Sequence, residues 1–233
     1  MKKSLYKTKK IACLVSDRSD YSHLSEILSY MKNKKNFNLK IYVTNSSNIK
    51  KNNLLKEIQQ NLLKVDKFIF FKHSNIAKSI SYLIDNVVKY LNKIQPDYLM
   101  ILGDRFETFS STVAAVTLNI PIIHLCGGEN TLGSMDNVFR NSITKMSNIH
   151  FVTSKINKNR LVQMGEDRKF VFNYGDPSLE VIFKSKKINF SELKKKFNFS
   201  NFQYNYLVNF HAETTKSKLV NLKNLNILLE SLK

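Results

Sequence analysis

Three short stretches of the chain gather residue types that move protons or grip anions. Ser16-Asp17-Arg18-Ser19-Asp20 carries two carboxylates and an arginine, and Gly103-Asp104-Arg105 one of each. His124-Leu125-Cys126-Gly127-Gly128-Glu129-Asn130 adds a histidine, a thiol and a third source of carboxylate, with Asp136 and Arg140 close behind. Carboxylates beside a histidine suit general acid–base chemistry, and arginines among them suit an anionic substrate. Each residue alone has a plainer reading. An aspartate after a strand, such as Asp104, commonly caps the next helix. His124 within an apolar run fits equally well as a satisfied core histidine. Gly127-Gly128 fits a tight turn, since no G-x-G-x-x-G follows the first apolar run. A cysteine such as Cys126 is more often inert than catalytic, and His73 and His150 read as structural. What lifts the group above these readings is where the surrounding elements put it.

Short apolar runs alternate with helical patterns. Strands are expected at Ile11–Ser16, Leu39–Thr44, Lys67–Phe71, Asp97–Leu102, Pro121–Leu125, Ile149–Thr153 and Lys169–Asn173. Helices are expected near Ser22–Met31, Leu54–Leu63, Asn137–Met146 and Asn157–Met164, with another closing at Ala114–Leu118. Ile76, Ile80, Leu83, Ile84, Val87, Val88 and Leu91 recur at 3.6-residue spacing on one further helix. This alternation implies a doubly wound α/β domain with a parallel sheet covered on both faces. Ligands bind outside the carboxyl ends of such strands, and the three reactive stretches fall at the ends of the first, fourth and fifth. All six glycines lie between Gly103 and Gly175. The texture changes after Gly175: Lys184–Lys196 holds six lysines and reads as a connection with a short helix. A strand is then expected at Tyr204–Phe210 and a helix at Ser217–Leu232, its Leu219, Leu222, Leu225 and Leu229 on one stripe. One strand and one helix do not make an independent domain. The expected organisation is a first domain over 1–183, a basic linker over 184–201, and the start of a second α/β domain over 202–233.

Bulk properties narrow the function. The 233 residues are 42% hydrophobic, enough for a folded core. No run approaches a membrane span, and the apolar run Ile11–Val15 is too short for a signal peptide. Two cysteines, Cys13 and Cys126, form no disulfide framework or metal pattern, so a cytoplasmic protein without a membrane partner is expected. Thirty-seven basic against 18 acidic residues give +19, which admits a nucleic-acid-binding module as the rival reading. The lysines are dispersed, however. Residues 97–136 hold five acids (Asp97, Asp104, Glu107, Glu129, Asp136) and one base, Arg105, a local charge of −4. Such an acidic island repels a phosphodiester backbone and suits proton transfer on a small substrate.

The ordered motifs resemble the hydrolysing UDP-N-acetylglucosamine 2-epimerases that serve sialic, legionaminic and related nonulosonic acid synthesis. The resemblance rests on Leu102-Gly103-Asp104-Arg105-Phe106-Glu107, on Asn119 through Glu129, on Asp136 through Arg140, and on Ile143-Thr144-Lys145. Arg18-Ser19-Asp20-Tyr21 looks like the family's opening R-x-D-Y, and Gly165-Glu166-Asp167 and Gly175-Asp176-Pro177 look like its later landmarks. The resemblance implies a GT-B fold, two doubly wound domains with a nucleotide sugar between them, and a reaction without metal or redox cofactor. UDP is eliminated across C1 and C2 of a UDP-N-acetylhexosamine, and water adds to the glycal to release the free 2-epimer. By the same resemblance Asp104, Glu129, Asp136 and His211 are the expected catalytic residues. Arg18, His124 and Arg140 are the expected substrate-binding residues.

Two departures from the family pattern bear on activity. Cys126 stands where well-studied members carry a catalytic glutamate, so that Glu129 is left to supply the carboxylate. The second domain, which holds most nucleotide contacts in the family, is nearly absent from this chain. A truncated gene, one piece of a split enzyme and a decayed copy all fit, and the expected partner is a second copy of the chain or a separate C-terminal half.

Overall fold

Apolar runs become strands here because the central ones are buried between two helical layers. The computed structural model describes residues 7–45, 53–72, 75–131, 134–198, 205–213 and 216–232; His73 lies outside them. Seven strands, β1 (Lys9–Val15), β2 (Phe37–Asn45), β3 (Val65–Phe70), β4 (Tyr98–Leu102), β5 (Ile122–Leu125), β6 (Ile149–Val152) and β7 (Val171–Asn173), form one parallel sheet. Its order is β3-β2-β1-β4-β5-β6-β7. The expected doubly wound α/β sheet is present. The strand order reverses between β1 and β4, so the crevice of a doubly wound sheet opens beyond their carboxyl ends.

The pleat of β1 shows how the two faces are filled. Ile11, Cys13 and Val15 point to one side, where they pack with Tyr21, Leu24, Leu28 and Met31 of α1 (Arg18–Lys32) and Leu54 and Ile58 of α2 (Asn53–Gln60). Ala12 and Leu14 point to the other, toward α3 (Ile76–Ile94), α4 (Phe106–Thr117) and α5 (Asp136–Met146). On α3 the expected stripe buries Leu83, Val87 and Leu91 completely, while Ile76 at the first turn is exposed. Asn75 caps that helix by accepting from the Ala77 amide at 2.7 Å. Leu161 of α6 (Lys155–Gln163) packs with Val152 and Val171 to close the far edge.

Several boundaries differ from expectation. Helix α1 starts at Arg18, four residues before Ser22, because Asp17 accepts from the Arg18 amide at 2.6 Å and ends the strand early. Residues Arg168–Phe170 form a 3₁₀ turn, and Ser178–Lys184 forms an unanticipated helix, α7. The strand expected at Tyr204–Phe210 is not formed: Tyr204 lies outside the described residues, and 205–210 have no regular structure. A strand needs a neighbour to satisfy its backbone, and no other strand lies near it in sequence among the described residues.

The chain divides into two compact units. One runs to Ile182 without Leu132–Met135, and the other takes Leu132–Met135 and Phe183–Lys233. The second contains α8 (Phe190–Phe197) and α9 (Lys218–Ser231), and none of its described residues is fully buried.

Candidate active site

At the carboxyl ends of β4 and β5 the geometry centres on Arg140. This side chain comes from the second turn of α5 and is buried. Its Nη2 pairs with the carboxylate of Asp104, and its Nη1 donates to the Glu129 backbone carbonyl at 2.8 Å. One guanidinium therefore joins the loop after β4 to the loop after β5. Asn137, one helical turn before, fastens the same loop: its Oδ1 accepts from the Thr131 amide at 2.8 Å, and its Nδ2 donates to the Thr131 carbonyl at 2.7 Å. Asp136 opens the first turn of α5 and is half-buried. The Glu129 carboxylate accepts from Thr153 Oγ1 at 2.9 Å, and that hydroxyl accepts from Asn157 Nδ2 at 2.8 Å. The position of Glu129 is thus fixed from α6.

His124 lies beneath these loops and is wholly buried. Its Nε2 sits 2.8 Å from the Gly103 carbonyl, so that nitrogen carries the proton, and Nδ1 lies 3.4 Å from Thr144 Oγ1. Burial lowers the ring's pKa to about 4, only partly offset by the Gly103 hydrogen bond. A neutral, enclosed imidazole reaches no ligand here. It holds the Gly103 carbonyl, and with it the backbone that presents Asp104. Gly127 packs directly over the ring: a Cβ there would stand 3.0 Å from His124 Nδ1.

Cys126 adopts a left-handed backbone at φ +63° and is buried. Burial first, then the charges of Glu129, Asp176 and Asp20, push its thiol up to about 12. It remains a protonated thiol at neutral pH, with three carboxylates close enough to be felt.

A second cluster forms at the reversal point between β1 and β4. Arg105 donates to both oxygens of buried Glu107 at 3.3 Å, and lies 3.4 Å from Asp17. Asp20, also buried, accepts from the Ser16 amide at 3.1 Å. Burial raises the Asp20 carboxyl, and the neighbouring Arg105 charge offsets part of that rise. Asp20, Arg105, Glu107 and Asp176 were not among the expected site residues. Asp20 and Arg105 stand inside the R-x-D-Y and Gly-Asp-Arg motifs, which was the available signal.

The structure brings together Asp104, Arg140 and Glu129, with Asp136 on the helix that supplies Arg140 and His124 below. Arg18, expected to hold substrate, is largely exposed and donates to Glu57 of α2 at 2.7 Å. His211 belongs to the second unit, where it is exposed. Nearby Glu213 is tied to α9 through Asn221, whose amide exchanges bonds of 2.9 and 3.0 Å with its backbone. Among the described residues no group of three or more His, Cys, Asp or Glu is placed to hold a metal ion.

Comparison with known proteins agrees with this architecture. The model of the UDP-N-acetylglucosamine 2-epimerase family matches residues 29–233. The GDP/UDP-N,N'-diacetylbacillosamine 2-epimerase (hydrolyzing) of Campylobacter jejuni is 34% identical over 218 residues, covering 91% of this chain and 56% of that protein. The UDP-N,N'-diacetylbacillosamine 2-epimerase (hydrolyzing) of Legionella pneumophila is 32% identical over 184 residues, covering 76% and 48%. The chain therefore spans about half the length of these curated relatives. Among solved structures, the UDP-GlcNAc 2-epimerase of Neisseria meningitidis bound to UDP-GlcNAc superposes with a TM-score of 0.68 at 18% identity, over 81% of this chain and 52% of that one. The enzyme from Rickettsia bellii gives 0.69 at 22% identity, over 83% and 52%. These structures share the fold of their matched half, a GT-B half-molecule. By its motifs, its fold and the match over most of its length, the chain belongs to the UDP-N-acetylglucosamine 2-epimerase family.

Proposed function

We propose that the crevice beyond β1, β4 and β5 carries the proton-transfer side of a hydrolysing UDP-sugar 2-epimerase. The substrate is a UDP-N-acetylhexosamine, either UDP-N-acetylglucosamine or a diacetamido relative. A base removes the C2 proton as the bond from C1 to the UDP oxygen breaks, leaving a C1=C2 glycal and free UDP. Water then adds its hydroxyl to C1 while C2 receives a proton from the opposite face, which gives the 2-epimer. Asp104, Glu129 and Asp136 serve as the proton carriers, and Arg18 faces the leaving diphosphate. Arg140 and His124 position Asp104 rather than bind the sugar.

The observation that carries the reading is the Arg140 bridge. It sets one expected carboxylate, Asp104, against the backbone of another, Glu129, at the sheet edge where such folds bind ligands. Elimination also needs the diphosphate charge stabilised as it develops. The leucines of α9, with Leu219 and Leu222 exposed, are covered by a second copy or a separate C-terminal half. Two free, buried thiols suit a reducing cytoplasm.

The test is incubation of the purified chain with UDP-N-acetylglucosamine and its diacetamido analogue, following UDP and free sugar by NMR. Release of UDP and free sugar, abolished by Asp104→Asn, is expected. Undiminished turnover by Asp104→Asn would overturn the assignment.

A further inference from the structure

Two sequence motifs take no part in the chemistry above, Ile143-Thr144-Lys145 and Gly165-Glu166-Asp167, and the fold joins them. Lys145 stands in the last turn of α5, and its Nζ donates to Glu166 Oε1 at 2.7 Å and to the Met164 carbonyl at 3.2 Å. The other carboxylate oxygen of Glu166 lies 3.2 Å from Nε2 of His150 on β6. One carboxylate thus ties the end of a helix to a strand of the sheet. The Glu166 side chain is 11% exposed and that of His150 1%, so water competes little for this contact. His150 also faces the Lys145 charge and, on β5, the ring of His124, 6.5 Å away between centroids. Glu166 is itself fixed from α6: its amide donates to the carbonyl of wholly buried Leu161 at 3.1 Å. Gly165, at φ +92°, makes the turn that brings it to Lys145.

The tie matters because little else sets where α5 sits. Of its 11 residues only Arg140, Ile143 and Thr144 are buried. A single buried apolar side chain fixes the depth of a helix better than its sliding or rotation. Thr144 meets His124 of β5 at 3.4 Å, and Lys145 reaches β6 through Glu166. Two consecutive residues are therefore anchored to two neighbouring strands. A helix moves as a rod, and Lys145 is about 7.5 Å along the axis from Arg140 and about 13.5 Å from Asp136. We propose, on the epimerase reading above, that Glu166 is a positioning residue: by holding Lys145 and His150 together it sets Arg140 and Asp136 of α5 against Asp104. A slide of about 1 Å would take the Arg140 fork off Asp104 and the Glu129 carbonyl, and a misplacement of that size costs on the order of 100-fold in rate. Lys145 is half-exposed, so its ion pair adds little stability of its own. Its contribution is geometric.

The experiment reads Arg140 directly, in the isotope-labelled full chain. A guanidinium held by two partners rotates slowly, so its Nη protons should give separate signals, assigned by their loss in Arg140→Lys. Glu166→Ala and Lys145→Met should merge these signals. Lys145→Arg, which keeps the charge and the reach, should leave them separate. Leu28→Ala, which opens the core on the opposite face of the sheet, should lower the melting temperature and also leave them separate. With UDP-N-acetylglucosamine, Glu166→Ala and Lys145→Met should lower kcat about 10- to 100-fold at unchanged KM, and Lys145→Arg should stay near the parent. If Glu166→Ala does not fold, the half-exposed Lys145 carries the test. Signals as separate in Lys145→Met as in the parent would overturn the proposal. So would their collapse in Leu28→Ala, which would reduce Glu166 to a contributor to stability. Undiminished turnover by Asp104→Asn would instead overturn the epimerase reading, and the Arg140 signals would still decide whether Glu166 positions the helix.

Discussion

Arg140 reaches back 36 residues to the carboxylate of Asp104 and pairs with it where both side chains are mostly buried, 6% and 18% exposed. Removing one member of such a pair strands the other. Arg140→Leu should therefore destabilise the chain by about 3–5 kcal/mol. Arg140→Lys retains the charge but not the fork that serves Asp104 and Glu129 together, and should still cost about 1–3 kcal/mol. Urea unfolding would measure both. A lysine variant as stable as the parent would show that the bridge does not organise the two loops.

Folding should carry the signature of a buried neutral histidine. The His124 ring titrates near 4 in the folded chain and near 6.5 once exposed. Between those values the unfolded chain binds the extra proton, so stability falls as pH drops from about 6.5 toward 4, by up to about 3 kcal/mol. Burial also lowers His150, although Glu166 beside it opposes the shift; its contribution has the same sign. His124→Gln should flatten the profile of melting temperature against pH without abolishing the slope. An unchanged profile would mean that His124 is not held neutral.

The two adjacent glycines should respond unequally to alanine. At Gly127 the new Cβ would lie 3.0–3.2 Å from His124 and Thr144, both fully buried, for a cost of about 1–3 kcal/mol. At Gly128 it would meet Leu161 Cδ1 at 2.5 Å and the Asn157 carbonyl at 2.8 Å, in a backbone of φ +79°. Gly128→Ala should be the more damaging change, and thermal melts of the two variants would rank them.

The sheet was legible because its central strands are short apolar runs buried on both sides; Ile122–Leu125 and Tyr98–Leu102 match expectation within a residue or so. The start of α1 was not, because Arg18-Ser19-Asp20 is polar and helical propensity is weak there. The Asp17 cap decides the boundary, and capping geometry is local but not unique in sequence. Tyr204–Phe210 has a strand's composition but lacks a strand to pair with in the described chain. Asp104 and Glu129 follow the strand ends where the sequence gathers its candidate residues, and Asp104 meets Arg140 there. The roles of Arg140 and His124 depend on partners 36 and 21 residues away, which no local pattern discloses. Asp20 and Glu107 stood in motifs but not among the expected site residues, because their burial depends on how α1 and α4 pack.

Restoring a carboxylate at Cys126 should have a pH-dependent cost. A glutamate there would be buried near Glu129, Asp176 and Asp20, the groups that already push the thiol up, so its folded pKa would rise above the usual glutamate value. Its neutral form is favoured in the fold, and stability is therefore lost as pH rises through the unfolded value near 4.3. Cys126→Glu should melt lower than the parent at pH 8 and close to it at pH 4. Equal destabilisation at both pH values would place position 126 away from the three carboxylates.

The most direct test of the account is to map UDP-N-acetylglucosamine onto the isotope-labelled chain by amide chemical shifts, with ligand up to millimolar concentration. Perturbations should gather at Ser16–Asp20, Gly103–Arg105, Gly127–Asn130 and Asp136–Arg140, and Asp104→Asn should reduce them. Shifts confined to other surfaces, or none at saturating ligand, would contradict the placement of the substrate in this crevice.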